Sequence, residues 1–365
     1  MSRRKFDQIF DPLSDYQQLS IYECWSLRDR QPKPTPKRSR IDDGFIFNSD
    51  TISSIYSSSP SSNDIDRCFS PILQSSPPSP AGSIFDFALE FNPSFFHLET
   101  DTQIGLHPTW LEFLKPLLSQ PEIYFLHHQL SSSSLGYDYK AGEKPQHFLT
   151  EVYPPARHLY NWSRLTPLNK IKVVILGSMP LSCPGRAHGL AFSQSVDSQI
   201  SGTIGCIHEE LRHEYPTTFV RPNHGSLVSW ARAGVLLLNI THTTQRDLNK
   251  QQQHSEFGWD KFTRGVLEVV DQEGGDSSML KDKSTNGLVF IVWGKLAAKQ
   301  LDLAGITTSC RQHRILYCPA TPQPSSAHRD GFFHNNHFLL ANDFLKECYG
   351  SEHQIDWCNL ECIDP

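Results

Sequence analysis

Four short apolar runs, set far apart and each closed by a turn, constrain this chain more than any other feature. They are Val173-Val174-Ile175-Leu176, Val235-Leu236-Leu237-Leu238, Leu288-Val289-Phe290-Ile291-Val292 and Ile315-Leu316-Tyr317. A strand with one wet face would alternate apolar and polar residues. Continuous β-branched and aliphatic runs of this length instead predict strands buried on both faces. The stretches between them are long enough for helices, for example Trp259-Asp260-Lys261-Phe262-Thr263-Arg264-Gly265-Val266-Leu267. Strand-helix alternation predicts an α/β fold, a three-layer α/β/α arrangement around a central four-stranded parallel, twisted sheet. Ligands of such sheets bind beyond the carboxyl ends of the strands, so the residues that follow each run are the ones to inspect.

The runs all lie in the second part of the chain. Residues 1–97 are rich in Ser and Pro and lack apolar periodicity, which predicts a disordered tail, because too little apolar surface is available to offset the entropy of ordering. Within it, Gln31-Pro32-Lys33-Pro34-Thr35-Pro36-Lys37-Arg38-Ser39-Arg40 reads as a nuclear-import cluster or as a solvated charge run. Ser59-Pro60, Ser70-Pro71, Ser76-Pro77 and Ser79-Pro80 are sites for Pro-directed kinases, or a consequence of composition. Two aromatic-acidic patches, Phe6 to Asp11 and Phe85 to Phe96, suit docking onto a partner's groove, or onto the body of the same chain for the second. Residues 98–365 form the expected folded domain, opening with a helix-like spacing around Trp110-Leu111-Glu112-Phe113-Leu114. No apolar run approaches the roughly 20 residues of a bilayer helix, and no apolar stretch follows Arg3-Arg4-Lys5, so neither a membrane span nor a secretory leader is expected. The nine cysteines include no C-x-x-C pair, and Cys358 and Cys362 lack two further ligands. Free thiols are expected rather than a disulfide framework, and no metal or other cofactor. A net charge of -6 argues against indiscriminate coating of nucleic acid but leaves room for a local basic face.

The strand ends carry the informative residues. After the first run come Gly177-Ser178-Met179-Pro180-Leu181-Ser182 and then Ala187-His188-Gly189-Leu190-Ala191-Phe192-Ser193; after the second comes Asn239; after the third, Trp293-Gly294; after the fourth, Thr321-Pro322-Gln323-Pro324-Ser325-Ser326. With His224-Gly225-Ser226-Leu227, Trp230-Ala231, His254, Gly258-Trp259 and Phe262-Thr263 in order, residues 152–357 resemble family 1 uracil-DNA glycosylases. Asn336-His337-Phe338-Leu339-Leu340-Ala341-Asn342 with Ile355-Asp356-Trp357 looks most like the herpesvirus members.

The resemblance implies that uracil is flipped out of DNA before its glycosidic bond is hydrolysed. It implies further that Phe192 stacks on the flipped ring, that Asn239 reads the uracil edge with an adjacent donor and acceptor, and that Gly177, Pro180 and Leu181 shape the same pocket. The two catalytic positions are substituted. The family's Gly-Gln-Asp-Pro-Tyr-His motif puts its water-activating Asp where this chain has Met179, and the His of its His-Pro-Ser-Pro-Leu-Ser loop matches Thr321. A general base contributes roughly 10²–10⁴ in rate and a well-placed electrophilic donor about 10²–10³, so the loss of both predicts weak or absent excision. Leu181 replaces the Tyr that walls out the methyl group of thymine, and Ser325 replaces the Leu wedge that fills the vacated base stack. The resemblance sets Ser326, Thr203 and Gln323 at phosphate-pinching positions and implies Arg329 as a candidate further phosphate contact. Ser178 and Ser182 flank the water site, and His188 lies in the same loop either as a substitute base or as a structural histidine.

Three functions follow: a pseudoenzyme that binds DNA or scaffolds viral replication, a slow uracil-DNA glycosylase with a rearranged site, or a glycosylase for another base. The resemblance implies DNA as partner, the viral DNA polymerase complex as a second partner through the tail, a monomer, and work in the host nucleus.

Overall fold

The computed structural model describes residues 105–131, 152–245, 254–275, 287–306, 313–327 and 331–365. The tail at 1–97, with its basic cluster, Ser-Pro pairs and aromatic patches, lies outside the described residues.

The four apolar runs form the strands β2 (Val173–Gly177), β3 (Val235–Asn239), β5 (Val289–Trp293) and β6 (Arg314–Cys318), all parallel, in the order β3-β2-β5-β6. Two short strands, β1 (Val152–Tyr153) and β4 (Thr244–Gln245), pair antiparallel in a separate ribbon. Successive strand residues point to opposite faces, and every residue of β2, β3 and β5 is buried, so both faces of the sheet are covered. The fourth run departs from expectation: Arg314, Ile315 and Tyr317 of β6 are only half-buried. Leu316 and Cys318 share the covered face, whereas Ile315 and Tyr317 on the opposite face are only partly covered; β3, at the other edge, is buried throughout, so an edge position alone does not expose a strand.

The register matters for function. Gly177 lies opposite Asn239, Leu176 opposite Val292, and Trp293 opposite Cys318, so the carboxyl ends of all four strands come out at one rim. From β2 the chain moves to one side of the sheet and from β5 to the other. The two connections therefore diverge at the rim, which is where parallel sheets of this kind bind their ligands.

The helices follow the 3.6-residue period. In α1 (Pro108–Leu118), Trp110, Leu114 and Leu118 are buried, the His107 side chain accepts from the Thr109 N–H, and Trp110 Nε1 donates to the Thr166 carbonyl at 2.9 Å. The helices α2 (Pro121–Ser131), α3 (Asn161–Leu165), α4 (Gly202–Glu214), α5 (Val228–Arg232), α6 (Trp259–Glu273), α7 (Lys295–Leu303), α8 (Pro324–Ala327) and α9 (His337–Tyr349) complete the layers. In α6 the residues Trp259, Phe262, Thr263, Val266, Leu267 and Val270 form the buried stripe. Trp230, Phe338 and Trp357 knit α5, α9 and residues 355–357 together, with Trp230 and Trp357 edge-to-face at 5.0 Å. No helix among the described residues is long and apolar enough to cross a membrane, and none of their His, Cys, Asp and Glu side chains gather in groups of three or more that could hold a metal.

Two buried carboxylates of α4 hold the approach to α9. Glu210 accepts from the backbone N–H groups of His334, Asn335 and Asn336 at 2.7, 2.9 and 3.3 Å. Glu214 accepts from those of Phe338 and Leu339 at 3.4 and 2.7 Å, filling donors that the first turn of α9 leaves open. Burial, aided by the neighbouring Glu210 charge, raises the Glu214 pKa to about 8 against the pull of these donors. An acid whose pKa is raised on folding binds its proton more tightly in the native state. Its contribution is thus present in full below its ordinary pKa and fades as pH rises toward 8. Chemical denaturation of Glu214→Gln between pH 5 and 8.5 should show a smaller loss of stability with rising pH than the unsubstituted chain. Identical slopes would mean that Glu214 does not titrate in this window.

Candidate active site

The rim residues interlock. The β2–β3 ladder continues past the strands, with the Ile240 N–H donating to the Gly177 carbonyl at 2.8 Å and the Thr241 N–H to the Ser178 carbonyl at 2.9 Å. A Cβ on Gly177 would stand 2.5 Å from Asn239 Oδ1 and 2.9 Å from the Ala191 Cβ, so a larger residue here would displace both side chains. Asn239 is 6% exposed, and its backbone carbonyl accepts from Thr263 Oγ1 at 3.3 Å. Its side-chain Oδ1 is buried and finds no donor among the described residues. An unmet buried acceptor costs about 1–3 kcal/mol. The carboxamide offers that acceptor beside an N–H donor, the pattern complementary to an imide edge.

Phe192 stands beside this floor. The Ala191 N–H is tied to the Leu237 carbonyl at 3.1 Å. Phe192 itself has φ +64°, a left-handed conformation that a bulky residue adopts only where its surroundings impose it. Its half-buried ring meets Trp293 edge-on at 5.4 Å. Trp293 Nε1 donates to His337 Nδ1 at 3.1 Å, and burial pushes the His337 pKa down to about 3, so that ring is the neutral acceptor. The sequence singles out Trp293 as a strand-end residue but links it to no other residue of the site. Its place at the carboxyl end of β5 was the available signal, and the support it gives Phe192 emerges only from the packing.

The positions at which the resemblance implies substitutions flank these residues. Met179 is 39% exposed and Ser178 also faces solvent, whereas Pro180 is buried and Leu181 and Ser182 are half-buried. Residues 177–182 contain no group that titrates near neutrality. Thr321 is half-buried with its methyl against Gly294, where a Cβ would stand 2.5 Å from Thr321 Cγ2, and the Gly294 N–H donates to the Cys318 carbonyl at 2.8 Å. Thr321 is therefore linked through Gly294 and Trp293 to Phe192. On the other flank, Gly202 opens α4 against the ring of Pro324, where a Cβ would be 2.5 Å away. That contact brings Thr203 to the segment with the exposed Gln323 and Ser325. The Ser326 side chain and Arg329 lie outside the described residues.

His188 points inward at 4% exposure, and its Nε2 pairs with Ser193 Oγ at 3.1 Å, which in turn accepts from the Leu227 N–H at 2.8 Å. Burial lowers its pKa, and the charge of Asp364 opposes that shift. This geometry makes the ring a brace of the loop.

No family model matches the chain. Over 206 residues it is 40% identical to the uracil-DNA glycosylase of Escherichia coli K12, which is 56% of this chain and 80% of that protein. The uracil-DNA glycosylase of Shigella flexneri serotype 5b matches to the same extent. The chain belongs to the uracil-DNA glycosylase family. Its fold agrees: a crystal structure of mimivirus uracil-DNA glycosylase superposes with a TM-score of 0.52 at 22% identity, covering 71% of this chain and 95% of the other. A variant of mimivirus UNG in complex with UGI gives 0.53 at 23% identity, covering 68% and 89%. Family membership makes DNA repair glycosylase chemistry the background for the rim just described.

The glycosylase rim predicts its own fragility. Gly177→Ala forces a methyl group into Asn239 and Ala191, and overpacking of this kind costs roughly 1–3 kcal/mol. Urea denaturation should show that loss, and Ala191→Gly in the same chain should recover part of it. Undiminished stability of the single variant would mean that the rim is not closely packed.

Proposed function

We propose that this glycosylase-family chain recognises uracil in DNA and excises it weakly or not at all, acting chiefly as a DNA-binding accessory protein. One juxtaposition carries the reading. The unpartnered Asn239 Oδ1 and the strained Phe192 form a floor suited to an extrahelical pyrimidine, beside loops that carry Met179 and Thr321 at the catalytic positions.

In this mechanism the target nucleotide swings out of the stack and its ring lies on Phe192. Asn239 accepts from the ring N–H through Oδ1 and donates through its amide nitrogen. Thr203, Gln323 and Ser326 hold the backbone, with Arg329 adding salt-dependent affinity. Ser325 is too short to fill the vacated stack, which favours single-stranded or already unpaired targets. Met179 has no lone pair basic enough to take the proton of a water, and Thr321 donates only a neutral hydroxyl toward the leaving uracil. The likeness of residues 336–342 and 355–357 to herpesvirus members supports a viral lineage, and the basic cluster at 33–40 supports work in the host nucleus. A replication-coupled role would bring the tail to the viral polymerase complex.

The test is uracil release from single-stranded and U:G duplex oligonucleotides with enzyme in large excess. Release should be slow or undetectable, with salt-sensitive binding retained. Restoring both groups in Met179→Asp/Thr321→His should raise release by at least about 10², the lower bound for one general base. Fast release by the unsubstituted chain that disappears in Asn239→Ala would instead establish a working glycosylase with a different base.

A further inference from the structure

Residues 361–364 reach back across the fold to the segment that follows Phe192, and no part of the reaction scheme uses them. Asp364 Oδ1 accepts from the Val196 N–H at 3.0 Å, and Oδ2 accepts from Ser195 Oγ at 2.9 Å. The approach is tethered twice more: the Glu361 N–H donates to Ser229 Oγ at 2.9 Å, and Ser226 Oγ donates to the Ile363 carbonyl. Ile363 packs against the hydrophobic core, so the carboxylate arrives on an anchored segment.

The segment it grips joins two parts of the site. On one side is Phe192 with its imposed φ of +64°. On the other, the Ser201 N–H donates to Gln194 Oε1 at 2.9 Å and the Ser201 hydroxyl caps α4, whose first turn carries Thr203. Between them, the Gln194 N–H is tied to the Gly225 carbonyl at 3.1 Å and the Ser195 N–H to the Arg186 carbonyl at 3.0 Å. Asp364 adds the charge-assisted contacts at the midpoint of that connection. A strained backbone persists only where its neighbours over-determine it, and Ser195 and Val196 are three and four residues from the strained one. We infer that Asp364 is a positioning residue, which, by clamping Ser195 and Val196, holds Phe192 in its ring-stacking pose and keeps the first turn of α4 in register with it. The inference rests on the uracil-recognition reading above.

Asp364 is exposed, and exposed polar contacts add little to global stability. Its removal should therefore act on local opening rather than on Tm. The experiment uses the full chain and Asp364→Ala, Asp364→Asn and Asn239→Ala. It measures backbone amide exchange over residues 193–198 without DNA, and affinity for a single-stranded oligonucleotide bearing one uracil against the same strand bearing thymine. Asp364→Ala should speed exchange about tenfold, the scale of one charge-assisted hydrogen bond, and lower the uracil-to-thymine affinity ratio several-fold at nearly unchanged Tm. Asp364→Asn, which keeps an acceptor for Val196, should recover part of both effects. Unchanged exchange in Asp364→Ala overturns the clamp. Faster exchange with an intact affinity ratio overturns the positioning role and leaves a mere tether. If the unsubstituted chain itself shows no uracil preference, or Asn239→Ala leaves that preference intact, the recognition reading fails, and the positioning role falls with it.

Discussion

The parallel register of β2 with β3 and β5 is the constraint from which the rest of the structure follows. Because each inner strand is apolar throughout, it can be satisfied only between neighbours and beneath helices on both faces. Once Val173 pairs with Val235 and with Val289, Gly177 must face Asn239, and Trp293 emerges at the same rim. The shared rim, its polar floor and its aromatic support are consequences of strand pairing. Little further energy is needed to bring them together, since the packing that stabilises the sheet also aligns the site.

Of the positions at which the resemblance implies a substitution, Met179, Gln323 and Ser325 are exposed and Leu181 and Thr321 are half-buried. At an exposed position a change of side chain alters chemistry at small cost to stability. Asn239 is the opposite case. Its buried Oδ1 lacks a donor, and an apolar side chain of similar size would remove that penalty. Phe192 likewise retains a conformation that glycine would adopt without strain. Each of these residues carries an energetic cost in the fold, Asn239 an unmet acceptor and Phe192 a strained backbone. That asymmetry is the physical basis for reading the chain as a uracil binder with impaired chemistry.

Polar side chains, buried for Glu210, Glu214 and Ser193 and exposed for Asp364, brace irregular segments of the fold. Glu210 and Glu214 fix the turn into α9, Ser193 joins His188 to Leu227, and Asp364 grips residues 195 and 196. In each case a side chain satisfies backbone N–H groups that an irregular segment cannot pair by itself. None of these braces announces itself in the sequence, because each joins positions tens to more than a hundred residues apart and uses residue types common on any surface.

The sequence by itself determined the strands, the class of fold and the family. Unbroken apolar runs have few other places to go, and the motifs at their ends are short and contiguous. It also carries the expectation that catalytic groups are replaced, since the absence of an acid at residue 179 can be read without coordinates. Tertiary structure decided the rest. It demoted β6 to a half-buried edge, set Trp293 under Phe192, turned His188 inward as a brace, and left Asn239 with an unmet acceptor. Those outcomes depend on which distant segments share a surface and which polar atoms are left over when packing is complete. Such properties belong to the closed sheet and its layers, and no local stretch of residues contains them.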